Sequence, residues 1–117
     1  MTDVLKEFAR SHPEAVVELG DIFVGADMAI ELIDQAERRG IGILGLEGFL
    51  IDDEDIYPSL DRIADFSSLG DASEFVTKSA ARARELLNGP WRLPPGPANQ
   101  MHSEATGRHM IVVCFAD

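Results

Sequence analysis

Residues 41–51, IGILGLEGFLI, are the stretch of sequence on which the predicted fold depends. The stretch is rich in large and β-branched apolar side chains and lies between Gly40 and a run of four acidic residues. That pattern is typical of a largely buried β-strand. Glycines inside a strand indicate a bend, a bulge or the close approach of another element. This strand contains three of them, Gly42, Gly45 and Gly48.

The residues that follow, DDEDIYPSLDRIADF, predict a reversal of the chain. The acidic run Asp52–Asp55 is predicted to be an exposed turn, and a short returning strand is predicted over 56–58. Pro58 interrupts that strand, and Ser59 is a favourable N-cap for a short helix over 60–65. Helical spacing predicts that three apolar residues face inward from this helix: Leu60, Ile63 and Ala64.

Four further helices are predicted from apolar periodicity and from end signals. Residues 27–39 and 71–88 carry apolar residues at helical spacing and each is followed by a glycine, which predicts two long helices. A short amphipathic pattern predicts a helix over 3–10. A serine and a glutamate with capping-box spacing, with a proline between them, predict another short helix over 13–19.

The C-terminal run HMIVVCFA, residues 109–116, is the second confident strand signal. Because an isolated strand is not stable in water, we expect it to pair with 41–51, with 56–58 as a third strand. The sequence therefore predicts a single α+β domain over 1–117, with two long and several short helices packed on a small two- to three-stranded sheet.

The composition is that of a soluble globular protein, with 45% apolar residues in a chain of 117. No apolar run approaches the roughly 20 residues that span a bilayer, and the N-terminus does not resemble a signal peptide. The single cysteine, Cys114, cannot form an internal disulfide. We therefore expect a cytoplasmic protein that does not bind membranes.

The net charge of −11 is concentrated in the middle of the chain. Residues 47–74 contain nine acidic residues and one basic residue, whereas residues 75–117 contain three acidic and five basic residues. A negative field of this kind repels nucleic acid and anionic membranes and attracts basic partners. The charge pattern therefore argues against nucleic-acid binding and favours a basic protein partner.

Known metal and cofactor motifs do not fit the sequence. The acidic run lacks the glycine and glutamate positions of a calcium-binding EF-hand loop. His102, Glu104 and His109 lie near one another, but the cysteine pair of a zinc site is missing. The letters G-x-G-x-x-G at 40–45 follow a predicted helix and lie in a predicted strand, the reverse of a dinucleotide site. We therefore predict no metal and no cofactor.

Catalytic motifs are equally weak. No serine lies in a G-x-S-x-G nucleophile elbow, and the acidic residues are too numerous for their sequence to define an acid–base pair. We predict no catalytic residue. Two alternatives stay open: a small metal-binding or hydrolytic domain that uses the acidic cluster with His102 or His109, and a homo-oligomeric adaptor domain.

Residues 27–67 resemble small acidic bacterial immunity proteins of polymorphic toxin systems. The resemblance consists of a helix ending in Arg-Gly, then Leu-Gly-Leu-Glu-Gly-Phe, an acidic turn, Pro-Ser-Leu and Ile-Ala-Asp-Phe-Ser. It implies a non-catalytic cytoplasmic protein that neutralises a toxin by binding it. An acidic surface suits this role because many nucleic-acid-cutting toxins carry basic clefts.

The residues predicted to bind such a basic partner are acidic, with one aromatic anchor: Glu47, Asp52, Asp53, Glu54, Asp55, Tyr57, Asp61 and Asp65. The individual acids are equally compatible with a solvated surface, and Glu47 with a buried ion pair. As a group, the turn Asp52–Asp55 favours a binding role.

Overall fold

The computed structural model describes residues 3–13, 15–18, 21–51, 55–91 and 108–116. These residues form three helices and five strands, listed in chain order: α1 Asp3–Ser11, β1 Val16–Glu18, β2 Asp21–Phe23, α2 Ala26–Arg38, β3 Ile43–Ile51, β4 Ile56–Asp65, α3 Phe75–Asn88 and β5 Arg108–Phe115.

The strand β3 is the centre of an antiparallel sheet in the order β4-β3-β5. The two short strands β1 and β2 form a separate antiparallel hairpin. A backbone bridge connects the hairpin to the larger sheet: the N–H of Val24 donates to the carbonyl of Ile111 at 3.0 Å, and the N–H of Ile111 donates back at 2.7 Å. The hairpin therefore lies beside the outer edge of β5.

The helices α2 and α3 pack against one face of the sheet. The apolar stripe predicted for α2 is buried, with Ala29, Leu32, Ile33 and Ala36 all at 0% exposure. The helix ends as predicted, because Gly40 just beyond it has a left-handed φ of 74°. The predicted helices over 3–10 and 27–39 and the predicted strands over 41–51 and 109–116 are confirmed within one or two residues at each end.

The predicted long helix over 71–88 begins later than its signals indicated. Asp71 accepts hydrogen bonds from the backbone N–H groups of Ser73 and Glu74, each at 3.1 Å. These bonds stabilise a turn, and α3 itself begins at Phe75. Asp71 therefore stabilises the turn that leads into α3.

The predicted helix over 13–19 is wrong, because the chain forms β1 there, which pairs with β2 just beyond it. The serine that suggested a cap is Ser11, and its hydroxyl donates to the carbonyl of Glu7 at 3.1 Å. It therefore ends α1 and does not begin a new helix. Val16 pairs with Phe23 and Val17 with Ile22, so β-branched and aromatic side chains pack across the hairpin.

The predicted helix over 60–65 is also wrong, because β4 continues through these residues to Asp65. The pairing runs from Phe49–Pro58 to Glu47–Ile63, so the residues between Pro58 and Ile63 form a bulge opposite a single residue of β3. Ile63 was predicted to face inward but is 60% exposed.

These differences correct the predicted fold. The prediction was two long and several short helices on one two- to three-stranded sheet, and the described residues do not form this arrangement. They form two long helices and one short one, and two sheets, with strands in two of the three places where short helices were predicted. Strand pairing, of β1 with β2 and of β4 with β3, overrides the local helical spacing.

The three glycines of the central segment are explained by close approach, as predicted. A Cβ at Gly42 would lie 2.4 Å from the ring of Phe75, and a Cβ at Gly48 would lie 2.6 Å from the Cβ of Arg62. A Cβ at Gly45 would lie 2.3 Å from the backbone oxygen of Ala64. The glycines therefore let α3 and β4 pack directly on β3.

Candidate interaction surface

The larger sheet has two chemically different faces. On the face toward the helices, Leu46 and Val113 pair across β3 and β5 and belong to the main hydrophobic core. On the opposite face, Phe23, Ile51, Met110 and Val112 form a second, smaller apolar cluster. Side chains alternate along a strand, so Glu47 lies on this second face, opposite Val112.

Three exposed carboxylates lie at one end of the second face: Asp21, Glu47 and Asp65, here called the acidic face. Asp65 and Cys114 both pair with Gly45, from β4 and β5 respectively. Extending the Val24–Ile111 bridge in register brings Asp21 beside Cys114. The acidic face therefore combines carboxylates from three strands, β2, β3 and β4.

Cys114 lies between two of these acids. Its thiol donates a hydrogen bond to Glu47 Oε1 at 3.6 Å. Burial, together with the negative charges of Glu47 and Asp21 and the hydrogen bond to Glu47, raises the pKa of the Cys114 thiol to about 11. The thiol is therefore protonated at neutral pH, and it acts as a donor to Glu47 and not as a nucleophile.

Alkylation of Cys114 should be slow in the folded protein. Raising the thiol pKa from its ordinary value of 9.0 to about 11 lowers the thiolate fraction near pH 8 by roughly a hundredfold. The rate of iodoacetamide modification, native against urea-unfolded, measures this difference. The variant Glu47→Gln should react faster than the wild-type protein, because one negative charge is removed. Equal rates for the native and unfolded chains would contradict the assignment.

The same shift makes a stability contribution that depends on pH. The folded-state pKa of Cys114 lies above its unfolded value, so the folded state holds the proton more tightly. The contribution is complete below pH 9 and is lost as the pH rises through 9 toward 11. Thermal melts from pH 8 to 11 should show a smaller loss for Cys114→Ala than for the wild-type protein.

Asp65 is held in its charged form. Hydrogen bonding to Ser67, through its side chain and its backbone N–H, lowers the pKa of Asp65 below its usual value. The backbone N–H of Ser67 lies 2.9 Å from Asp65 Oδ1. The turn that follows β4 thus fixes the position of a carboxylate that is ionised throughout the neutral range.

The structure divides the predicted partner-binding residues. Glu47 and Asp65 meet on the acidic face. Asp55 lies at the opposite end of β4, where its Oδ2 accepts a hydrogen bond from the Tyr57 hydroxyl at 3.2 Å. Tyr57 pairs with Leu50 and therefore lies on the helix side of the sheet. Asp52, Asp53, Glu54 and the side chain of Asp61 lie outside the described residues.

Four basic side chains of the helical side are paired with acids. Arg84 on α3 bonds to Asp34 at 2.8 Å and also to Glu37, which connects α3 to α2. Hydrogen bonding to Glu37 raises the pKa of the Arg84 guanidinium above its ordinary value. Three more ion pairs lie on or beside the helices: Arg39–Glu7, Lys78–Glu74 and Arg82–Glu85.

The acids of the acidic face differ in this respect. Among the described residues, Asp21, Glu47 and Asp65 take part in no ion pair. Within the described residues, the exposed end of the sheet therefore carries negative charge that no ion pair neutralises, whereas Arg39, Lys78, Arg82 and Arg84 on the helical side are each paired with an acid. Such a surface attracts cations and basic proteins.

The described part of the chain contains no group of three or more His, Cys, Asp or Glu side chains arranged to hold a metal ion. His109 pairs with Leu50, on the face opposite Glu47. The structure therefore does not bring His109 to the acidic face. His102 and Glu104 lie outside the described residues. None of the described helices has the length and apolar character needed to cross a bilayer.

The chain matches no protein-family model, and neither a curated protein nor a solved structure is significantly similar to it. The resemblance to immunity proteins therefore stays a prediction from the sequence. Arguments about function depend on this chain's own residues and on their arrangement.

Two residues of the surface were missed from the sequence. Asp21 was not predicted because its place depends on the hairpin lying beside β5, which no local pattern indicates. Ile63 was assigned to the core of a helix, but in β4 it points to the acidic face, opposite Glu47. Ile63 is the most exposed of the three large apolar residues that the described part of the chain exposes, the others being Val17 and Leu44.

Proposed function

We propose that this protein is a non-catalytic, immunity-like binding protein of the bacterial cytoplasm. It neutralises a basic protein partner, a toxin domain, by covering that partner's functional surface with the acidic face. Neutralisation by occlusion requires shape and charge but no reacting group. Such a partner would supply the basic groups that the acidic face lacks.

The observation that carries the proposal is the separation of charge between the two sides of the molecule. Arg84, Arg39, Arg82 and Lys78 are each paired with acids on the helical side. The acidic face has no such partner within the described residues. Unpaired surface charge of one sign accelerates association with an oppositely charged partner and excludes partners of the same sign.

Ile63 supports binding rather than simple solubility. Its side chain is 60% exposed and lies opposite Glu47 in the β3–β4 pair. An apolar residue that a partner can bury, surrounded by charged groups, is the usual arrangement of a protein interface. The sequence assigns the turn Asp52–Asp55 to the same role, and of these residues only Asp55 lies within the described part of the chain.

Co-expression in a bacterial host tests the proposal. The chain should restore growth to cells that express the toxin domain encoded by the neighbouring reading frame. The double variant Glu47→Lys/Asp65→Lys should fail to restore growth. A matched control, Glu74→Lys/Glu85→Lys, changes the net charge equally but on exposed positions of the helical side, and it should still protect the cells.

Equal protection by both double variants would refute the role of the acidic face. Failure of the wild-type chain to protect against any neighbouring toxin would refute the immunity-like function itself. Circular dichroism and thermal melts of the purified variants establish that each is folded, so a lost phenotype reports binding.

A further inference from the structure

The strand β4 forms one edge of the larger sheet. Among the described residues it pairs with β3 alone. An edge strand presents backbone N–H and C=O groups that can accept another strand. The first part of β4 is protected from this, because Pro58 has no N–H and the bulge after it interrupts the regular pairing. Residues 63–65 have neither protection.

The register shows which backbone groups of this segment face outward. The N–H of Phe66 donates to the carbonyl of Leu44 at 2.8 Å, so these two residues form a hydrogen-bonded pair. In an antiparallel ladder such pairs alternate with pairs that are not bonded to each other. Ile63 and Asp65, which pair with Glu47 and Gly45, are therefore positions whose N–H and C=O groups point away from β3.

The side chains define what kind of strand fits this edge. Ile63 and Asp65 lie on the same face of the sheet, two residues apart. A strand added at this edge would place alternate side chains beside them, an apolar one next to Ile63 and a basic one next to Asp65. A second copy of this chain is disfavoured, because it would bring Asp65 near another carboxylate in a protein of net charge −11.

We propose that the basic partner inserts an extended segment as an additional strand against residues 63–65. The inference rests on the proposed function and states how that partner binds. The backbone groups of Ile63 and Asp65 hydrogen-bond the incoming strand. The segment carries apolar and basic residues at alternating positions on the side that faces Ile63 and Asp65.

A peptide probe tests this mode of binding. A nine-residue peptide of alternating lysine and valine is titrated into the isotope-labelled protein and followed by nuclear magnetic resonance. The control is the same peptide with alternate backbone amides N-methylated, which keeps its charge but prevents strand pairing. We expect the methylated peptide to bind with a dissociation constant at least about tenfold larger than that of the unmodified peptide. Binding of the unmodified peptide should also slow hydrogen exchange of the Ile63 and Asp65 backbone amides.

Two variants of one position separate the backbone from the side chain. Ile63→Ala and Ile63→Pro both remove the isoleucine side chain. Only proline also removes the backbone N–H that points outward from the sheet, and an edge strand tolerates proline at such a position. Ile63→Pro should bind the peptide at least about tenfold more weakly than Ile63→Ala. Absence of peptide binding, or equal affinities for the two peptides or for the two variants, would overturn the inference.

The two proposals fail in different ways. If Glu47→Lys/Asp65→Lys abolishes growth rescue but the edge tests show no backbone dependence, the acidic face binds its partner without strand addition. If that double variant still rescues growth, the acidic face is not the binding surface, and if the wild-type chain does not rescue growth, the proposed function itself is wrong.

Discussion

Replacing Gly45 with alanine should lower the free energy of unfolding by about 3 kcal/mol. The added Cβ would lie 2.3 Å from the backbone oxygen of Ala64, on the neighbouring strand. A backbone oxygen cannot move aside as a flexible side chain can. The clash is relieved only by separating β3 from β4, which disturbs the pairs on either side of it.

The matched control for this prediction is Gly25→Ala, since no atom lies within 4 Å of a Cβ at Gly25. Its φ of −73° is open to any residue, so only its N-cap position is affected, at a cost of about 1 kcal/mol or less. Urea unfolding of both variants measures the difference. Equal losses of stability would show that β4 does not approach β3 as described.

Replacing Ser79 with alanine should destabilise the protein by about 2 kcal/mol. Ser79 is fully buried on α3, and its hydroxyl oxygen accepts a hydrogen bond from the N–H of Ile43 at 2.9 Å, where β3 begins. The hydroxyl in turn donates to the carbonyl of Val76 at 3.3 Å. Without the hydroxyl, a buried N–H has no acceptor, and the loss exceeds the gain in helix propensity from alanine.

Thr77→Ala provides the comparison, because Thr77 is exposed on the same helix. That change should leave stability within about 0.5 kcal/mol of the wild-type value. Chemical denaturation of both variants, with the slope of each transition compared, reports the result. A loss below 0.5 kcal/mol for Ser79→Ala would indicate that the start of β3 finds another partner.

The parts of the fold that the sequence predicted correctly have strong local signals. In α2 the apolar residues repeat at helical spacing and Gly40 ends the helix, and 41–51 is too apolar to be anything but a buried element. The glycines of that segment predicted a bend, a bulge or close approach by another element, and the structure shows close approach at Gly45. Each of these signals is contained within one segment of chain.

The parts that failed depend on contacts between distant segments. The hairpin β1–β2 is only three residues long on each side, and it is held beside β5 by the Val24–Ile111 bridge. The spacing of Leu60, Ile63 and Ala64 fits a helix, but pairing with β3 draws these residues into a strand. Because a bulge sets the register, the sequence could not show that Ile63 faces outward.

The candidate surface, like the fold, was predictable from the sequence only in part. Glu47 and Asp65 were predicted as binding residues from the acidic character of their segment, and the structure places them on one face. Asp21 joins them through long-range pairing, and Asp55 with Tyr57 lies elsewhere on β4. Composition thus indicated the charge of the surface, whereas the register of the strands determined which acids share it.

We propose that the acidic face binds a basic partner by charge. The most direct test of this proposal is the association rate constant with the neighbouring toxin domain, measured by stopped flow at low and at high ionic strength. We expect salt to slow association of the wild-type chain steeply. Glu47→Lys/Asp65→Lys should reduce the low-salt rate constant by at least about tenfold. The control Glu74→Lys/Glu85→Lys should have a smaller effect. A rate constant independent of salt and unchanged by the first double variant would contradict the proposal.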